Sequence, residues 1–366
     1  MRLKSAASIF LLGFAVLLSG ADFFATTDPV AMNPALPYLP PESIHFRGPS
    51  GDLRLRPYIV RRRPVSGQFG AYTQQGAAAL PLHFFVIEKQ SSASLAEGSV
   101  KLRFCGIRSE SPGALPGALP GDSPHFLGTD QYGRDVWSRL LYGGRTTVAI
   151  GLTAALCASL LGLGFGLIAG VYGGWVDALV MRLTEIMISV PWFYLLLALR
   201  AMLPLRTTPV AAVVMSTGLL ALVGWARPAR ILRGAVLESR QRGYVKMARA
   251  SGASLAHLVR WHLVPDVTPL AVTQFTILLP QFIASEVALS YFGLGVDEPL
   301  LSWGVLLTAA QHLSSLVDYP WVMSPIWAML PFFLALHIVS DSRDRSPQLT
   351  MLTEPRLNSS LPLERV

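Results

Sequence analysis

Thirty consecutive residues, "TTVAIGLTAALCASLLGLGFGLIAGVYGGW" from Thr146 to Trp175, carry no charged side chain. A hydrocarbon layer about 30 Å thick is crossed by about 20 helical residues, and backbone in lipid must satisfy its own hydrogen bonds. The run therefore reads as a membrane-spanning helix, and its Gly and Ala content suits helices that pack closely in lipid. The remaining sequence agrees, because 52% of the 366 residues are hydrophobic, only 14% are charged and the mean hydropathy is +0.45. An ordinary soluble domain is excluded. Five further spans are expected at about Ala6 to Phe24, Thr184 to Leu203, Val210 to Trp225, Pro269 to Leu289 and Met323 to Val339, the last interrupted by Pro331. The fold class is an all-α membrane protein with six transmembrane helices. The first segment follows Arg2 and Lys4 and is either a retained anchor or a cleaved signal peptide.

The net charge of +8 is unevenly spread. Eight basic residues, Arg227, Arg230, Arg233, Arg240, Arg242, Lys246, Arg249 and Arg260, fall in one loop with Glu238 alone against them. Flanked by spans, this is the signature of a cytoplasmic membrane loop rather than of a nucleic-acid patch. Placing it in the cytoplasm puts both termini there and residues 25–124 outside. Those residues are rich in Pro and carry short β-like runs, "HFFVIE" (His83 to Glu88) and "SVKLRF" (Ser99 to Phe104), so a small insert of mixed or β structure is expected between the first two helices. It ends in "GALPGALPGDSP" (Gly113 to Pro124), a turn-rich linker. The expected organisation is a first helix at 1–24, the insert at 25–124, a transmembrane domain at 125–340 containing the basic loop at 227–265, and a cytoplasmic tail at 341–366. The tail reads as unstructured from about Pro347.

No phosphate-binding loop, nucleophile elbow or HExxH pair is present, so no catalytic residue is assigned. Cys105 and Cys157 match no metal or disulfide spacing and read as packing residues. His257 and His262, five apart, fall on different faces of an ordinary α-helix and read as loop residues rather than metal ligands.

Within the basic loop, "RGYVKMARA" forms a helix that stops at Gly252, a residue tolerant of positive φ. Ser254 caps a second helix, "LAHLVRWHLV", whose Leu255, Leu258, Val259 and His262 share a face and which Pro265 ends. The result is a basic two-helix elbow, suited either to another protein or to anionic lipid.

This segment resembles the cytoplasmic "EAA" loop of ABC-importer permeases, with Lys246, Met247 and Ala248 at the Glu-Ala-Ala positions, then Gly252 and Val264-Pro265. "HFLGTDQYGRDVWSRLLYGGRTTVAIGL" (His125 to Leu152), "MRLTEIMISVP" (Met181 to Pro191), "WARPARILRGAVLESRQRGYVKMARASGAS" (Trp225 to Ser254) and "ASEVALSYFGLG" (Ala284 to Gly295) are similar to the C-type permeases of dipeptide, oligopeptide and nickel importers. The resemblance implies the ABC-importer permease fold in a bacterial plasma (inner) membrane. It implies half of a path for a small solute, a di- or oligopeptide or a nickel chelate. The implied partners are a B-type permease subunit forming a heterodimer, two cytoplasmic ATPase subunits and an extracytoplasmic solute-binding protein. ATP and Mg would be bound by the ATPase subunits, with no cofactor on this chain. The implied ATPase-coupling residues are Tyr244, Lys246, Met247, Ala248, Arg249, Gly252, Ala253 and Pro265. Ala248 would permit close docking, and Arg242 and Arg249 would pair with acids of the ATPase.

Lys246 reverses the charge that the resemblance leads one to expect. Glu286, within a span, is costly in lipid and belongs either to the translocation path or to helix packing. Glu185 is a candidate for the same two roles and is expected to pair locally with Arg182, and Arg200 is expected either to snorkel to the interface or to line the outer mouth. Two rival classes remain: a secondary transporter, which needs more mid-depth ionisable groups than Glu286, and a non-transporting scaffold subunit.

Overall fold

The computed structural model describes residues 2–47, 53–65, 67–89, 100–107, 123–204, 207–311 and 317–353. Most of the expected linker, 113–122, lies outside the described residues. Helix α1 (Arg2–Ser19) is separated from the single turn α2 (Ala21–Phe24) by Gly20. Four antiparallel strands follow, β1 (Ile44–Arg47), β2 (Leu53–Pro64), β3 (Tyr72–Lys89) and β4 (Val100–Ile107), in the order β1-β2-β3-β4. The first half of β3 pairs with β2 and the second half with β4, so one long strand carries both ladders. Ile59, Leu80, Leu82 and Cys105 bury the side of the sheet that meets Phe126.

The long apolar run is the body of α3 (Val136–Tyr172). Asp135 caps it by accepting from the Ser138 amide at 2.7 Å, which satisfies a donor the helix cannot. Then come α4 (Gly174–Ser189), α5 (Trp192–Ala201), α6 (Pro209–Gly224) and α7 (Ala226–Ser239). The expected span Thr184 to Leu203 is corrected here, since α4 and α5 meet at 90°. Pro191 forces Val190 into an extended conformation (φ −87, ψ 133), and the residue before a proline avoids helix. Likewise α6 and α7 are bent by 44°.

Beyond the elbow, α9 (Leu255–Leu258), a π-helical turn (Val259–Leu263) and α10 (Val264–Tyr291) run on as one helix. Pro265 does not end the second elbow helix; it stands inside the continuous helix directly after the π turn, where its missing N–H removes one backbone hydrogen bond without breaking the run. Helix α11 (Trp303–Leu307) and a final helix α12 (Ser324–Thr353) complete the fold. Helix α12 continues through Pro331 rather than being interrupted there, and its backbone extends to Thr353, so the expected unstructured stretch does not begin at Pro347. A single proline removes one hydrogen bond, which a packed membrane helix tolerates; Phe332 and Ala335 just beyond it are buried.

Three helices are long and apolar enough to cross a membrane, or up to five if each bent pair counts as one span, with Lys4–Ser19 as a shorter apolar helix. The core lies where α3 meets α6, α7 and α10. Ala154, Ala155 and Ala158 of α3 pack on Leu220 of α6 and Phe282 of α10, and Phe282 stacks on Trp192 at 5.5 Å. Gly162, Gly166 and Gly170 form a four-residue repeat facing α7. A Cβ at these positions would lie 2.5 Å from Pro228 Cβ, 2.9 Å from the Ala229 carbonyl and 2.7 Å from Val236 Cγ1, so the glycines permit the close approach. Of the two cysteines, Cys105 is buried while Cys157 is exposed on α3; the packing role expected of Cys157 is not met within the chain, because its face of the helix has no neighbour.

Candidate functional site

The elbow is built from α8 (Gly243–Ala250) and α9. Gly252 has φ +86 and closes α8 with paired reverse bonds. Its amide donates to the Arg249 carbonyl at 3.1 Å, and the Ala253 amide to the Ala248 carbonyl at 3.1 Å. This is the Schellman arrangement, in which a left-handed residue turns the chain while satisfying the helix's last carbonyls. Two residues later the Ser254 hydroxyl accepts from the His257 amide at 3.3 Å and starts α9.

The elbow is fixed to the bundle from inside. Val245 and Leu258 are buried with Leu263 and Val267 against Val171, Leu232 and Val236. The opposite side of α8 is bare: Met247 is 73% exposed, and Tyr244, Lys246, Arg249 and Ala250 are exposed. Ala248 and Ala253 are half-buried and pack inward on the Val245 cluster. The backbone bond between Ala253 and Ala248 joins these two residues at the inner corner of the elbow. A cavity of about 790 Å³ beside α8 is lined by Arg240, Lys246, Arg249, Leu258 and Leu263.

Arg242 has acidic partners within the chain. It donates to Asp266 at 3.0 Å and approaches Glu238 at 3.5 Å. The Tyr244 hydroxyl donates to the other Asp266 oxygen at 2.7 Å. Burial and this bond hold the Tyr244 phenol above its ordinary value. Asp266 is the functional residue that sequence reasoning missed. It lies one position past Pro265, where the basic loop seemed to end. Pro265 itself is exposed.

His257 and His262 share a face, with ring centroids 5.8 Å apart, and His262 lies 5.8 Å from Tyr244. The expectation of different faces assumed 3.6 residues per turn; the intervening π turn bonds residues five apart and brings them together. Among the described residues, no group of three or more His, Cys, Asp or Glu could hold a metal ion.

Glu286 and Glu185 are not brought together. Glu286 is fully buried and accepts from the Ser290 hydroxyl at 2.7 Å. Nearby, Trp303 donates through its amide to Thr147 at 3.0 Å and through its indole to Leu140 at 3.1 Å. Glu185 accepts from Arg182 at 3.1 Å on an exposed surface, a pair of little energetic weight. Arg200 neither snorkels nor lines a mouth: it is 1% exposed and donates to the Pro204 carbonyl at 3.1 Å. That bond ties Arg200 to the segment that follows α5.

At the other end of α3 a second polar cluster forms. Arg134 donates to Asp130 at 2.7 Å, and Arg134 and Arg139 each donate to Glu298 at 2.8 Å. Burial pushes the Glu298 carboxyl up, but Arg139 and Arg134 outweigh it and hold it below the ordinary value. The cluster lines a cavity of about 200 Å³ shared with Tyr38 and Gln311. Its sequence signal was the alternation of acid and base in "DQYGRD".

Residues 162–345 match the family described as binding-protein-dependent transport system inner membrane component. The oligopeptide transport system permease protein OppC of Bacillus subtilis (strain 168) is 36% identical over 199 residues, 54% of this chain and 62% of that protein. The dipeptide transport system permease protein DppC of the same organism is 34% identical over 215 residues, 58% of this chain and 63% of that protein. A putative peptide permease protein of Brucella suis biovar 1 (strain 1330) is 32% identical over 218 residues, 59% and 70% of the two chains. The match thus spans less than two thirds of the first two relatives. The family region holds the elbow, both bent helix pairs and α10, and the chain belongs to the binding-protein-dependent transport system inner membrane component family of ABC-importer permeases.

Proposed function

We propose that this chain is the permease subunit of an ATP-driven importer, forms half of a path for a di- or oligopeptide, and couples to an ATPase through the elbow around Gly252. The observation that carries the coupling is the two-sidedness of α8. Val245 ties it to α3 and α7, while Lys246, Met247 and Arg249 project outward. A contact made differently in two states of the ATPase would act on the bundle through that anchored helix. The peptide assignment follows the names of the B. subtilis and Brucella relatives. In this reading the elbow and both termini face the cytoplasm. A second permease chain, two ATPase subunits carrying ATP and Mg, and an external binding protein complete the importer.

Reconstitution in liposomes with the products of neighbouring genes tests the reading. Labelled dipeptide should accumulate only with ATP, and uptake driven by an ion gradient without an ATPase would overturn it. In the same system Met247→Asp should abolish ATP-dependent uptake while leaving the chain folded. For Lys246→Glu, a clear loss supports an acidic partner on the ATPase; a gain or no change removes that pair.

A further inference from the structure

Among the described residues, one face of the β3–β4 pair has no protein against much of it. Ile87 and Leu102 are paired across the strands. With Phe85 and Phe104 they are 67%, 48%, 62% and 39% exposed. An antiparallel sheet facing water carries polar residues on its outer side, and this face carries four large apolar ones.

Its position says what meets it. Phe23 of α2 lies 6.2 Å from Phe85 and 5.8 Å from Phe104, and Phe24 lies 6.0 Å from Phe104. Helix α1, which ends one residue before α2, exposes Ile9, Leu12 and Val16 at helical spacing. Helix α2 thus joins the exposed apolar row of α1 to the hairpin, because its Phe23 and Phe24 rings reach Phe85 and Phe104. Polar and aromatic groups mark the same level. Asp22 accepts from Tyr142 at 2.5 Å and from Arg145 at 2.9 Å, with Lys101 at 3.9 Å. Arg145 lies over the Tyr142 ring, and the Trp137 indole donates to the Phe24 carbonyl at 3.0 Å. Such side chains gather where the hydrocarbon ends and headgroups begin.

We propose that this hairpin is an interfacial anchor: Phe85, Ile87, Leu102 and Phe104 sink into the leaflet at the C-terminal end of α1, and their partner is phospholipid. The proposal rests on the membrane reading of α1. It assigns the insert a bilayer contact beyond any docking with other subunits.

Spin labels on the full chain test it, in a Cys105→Ala, Cys157→Ala background reconstituted in phosphatidylethanolamine–phosphatidylglycerol vesicles. Labels go at Phe85→Cys and Ile87→Cys, with Leu12→Cys as the span reference and Phe69→Cys, at the far end of β3, as the water reference. Oxygen concentrates in lipid and a nickel chelate stays in water. The labels at 85 and 87 should match the Leu12→Cys oxygen-to-nickel ratio and exceed that of Phe69→Cys severalfold. A ratio equal to that of Phe69→Cys overturns the anchor. Protection from both reagents also overturns it, by showing protein over the face. If Leu12→Cys itself reads as water, the membrane reading of α1 falls and the anchor with it. A Phe85→Ser, Ile87→Ser chain provides a second reading: with a label at Leu102→Cys, its ratio should fall toward the water reference.

Discussion

At Gly252 nothing lies within 4 Å of where a Cβ would sit, so the cost of a side chain there is conformational alone. Gly252→Ala should destabilise the elbow by about 1–2 kcal/mol, seen as faster amide exchange across α8, whereas Gly252→Asn should exchange more slowly than the alanine variant. An equal effect of both would remove the left-handed turn as the cause. Glu298 predicts a pH dependence. Its folded-state pKa is depressed below the ordinary 4.5, so its contribution is complete above that value and disappears as pH falls through the lower, folded one. Acid titration of thermal stability should show this loss in the native chain and less of it in Glu298→Gln. The elbow's Gly, Ser cap and basic face were readable because each acts on its own neighbours. Asp266 was not, since its partners Arg242 and Tyr244 are 24 and 22 residues away and only the fold brings them within reach.

Elements were legible wherever a local pattern decides the outcome. The 30-residue apolar run is α3, and "HFFVIE" and "SVKLRF" do pair as antiparallel strands. Hydropathy averages over a window and does not register direction, so the right angle between α4 and α5 was read as one span even though Ser189-Val190-Pro191 signalled it. The π turn escaped for a related reason: it changes the period within an otherwise helical pattern. The glycine repeat of α3 supplies the element-scale prediction. Gly166→Leu should push α7 off α3 and cost about 1–3 kcal/mol, lowering the melting temperature in detergent. Gly164→Leu, with nothing within 4 Å of its Cβ position, should change it little. Comparable losses from both would mean that chain propensity, not the α3–α7 contact, decides stability.

Taken whole, the molecule is a helical bundle with a four-stranded sheet, and Asp135 ties the two. It caps α3, accepts from the Thr26 hydroxyl at 2.9 Å and sits 3.0 Å from His125 Nδ1. Asp135→Ala should cost about 0.5–2 kcal/mol from the cap alone, with more from the buried groups it leaves unpaired. Limited proteolysis should then cut near residues 25–47 and 123–135 well before the spans. Unchanged cutting there would show that the sheet's own packing holds the insert in place. The exposed apolar rows on α3, α6 and α12, including Leu156, Val214 and Leu334, are surfaces that lipid or a second permease chain must cover.

The π turn between α9 and α10 has a mechanical meaning. Because the helix does not stop there, Leu255 to Tyr291 is a single piece of 37 residues, about 55 Å long at 1.5 Å per residue. Under the coupling proposed above it would act as a rocker arm, with the elbow at one tip and Glu286 near the other. A tilt of about 5° about its midpoint would carry each tip more than about 2 Å. Pro265, Pro269 and Pro280 each remove a backbone hydrogen bond along it, and they would set how much of such a stroke arrives at the buried carboxylate.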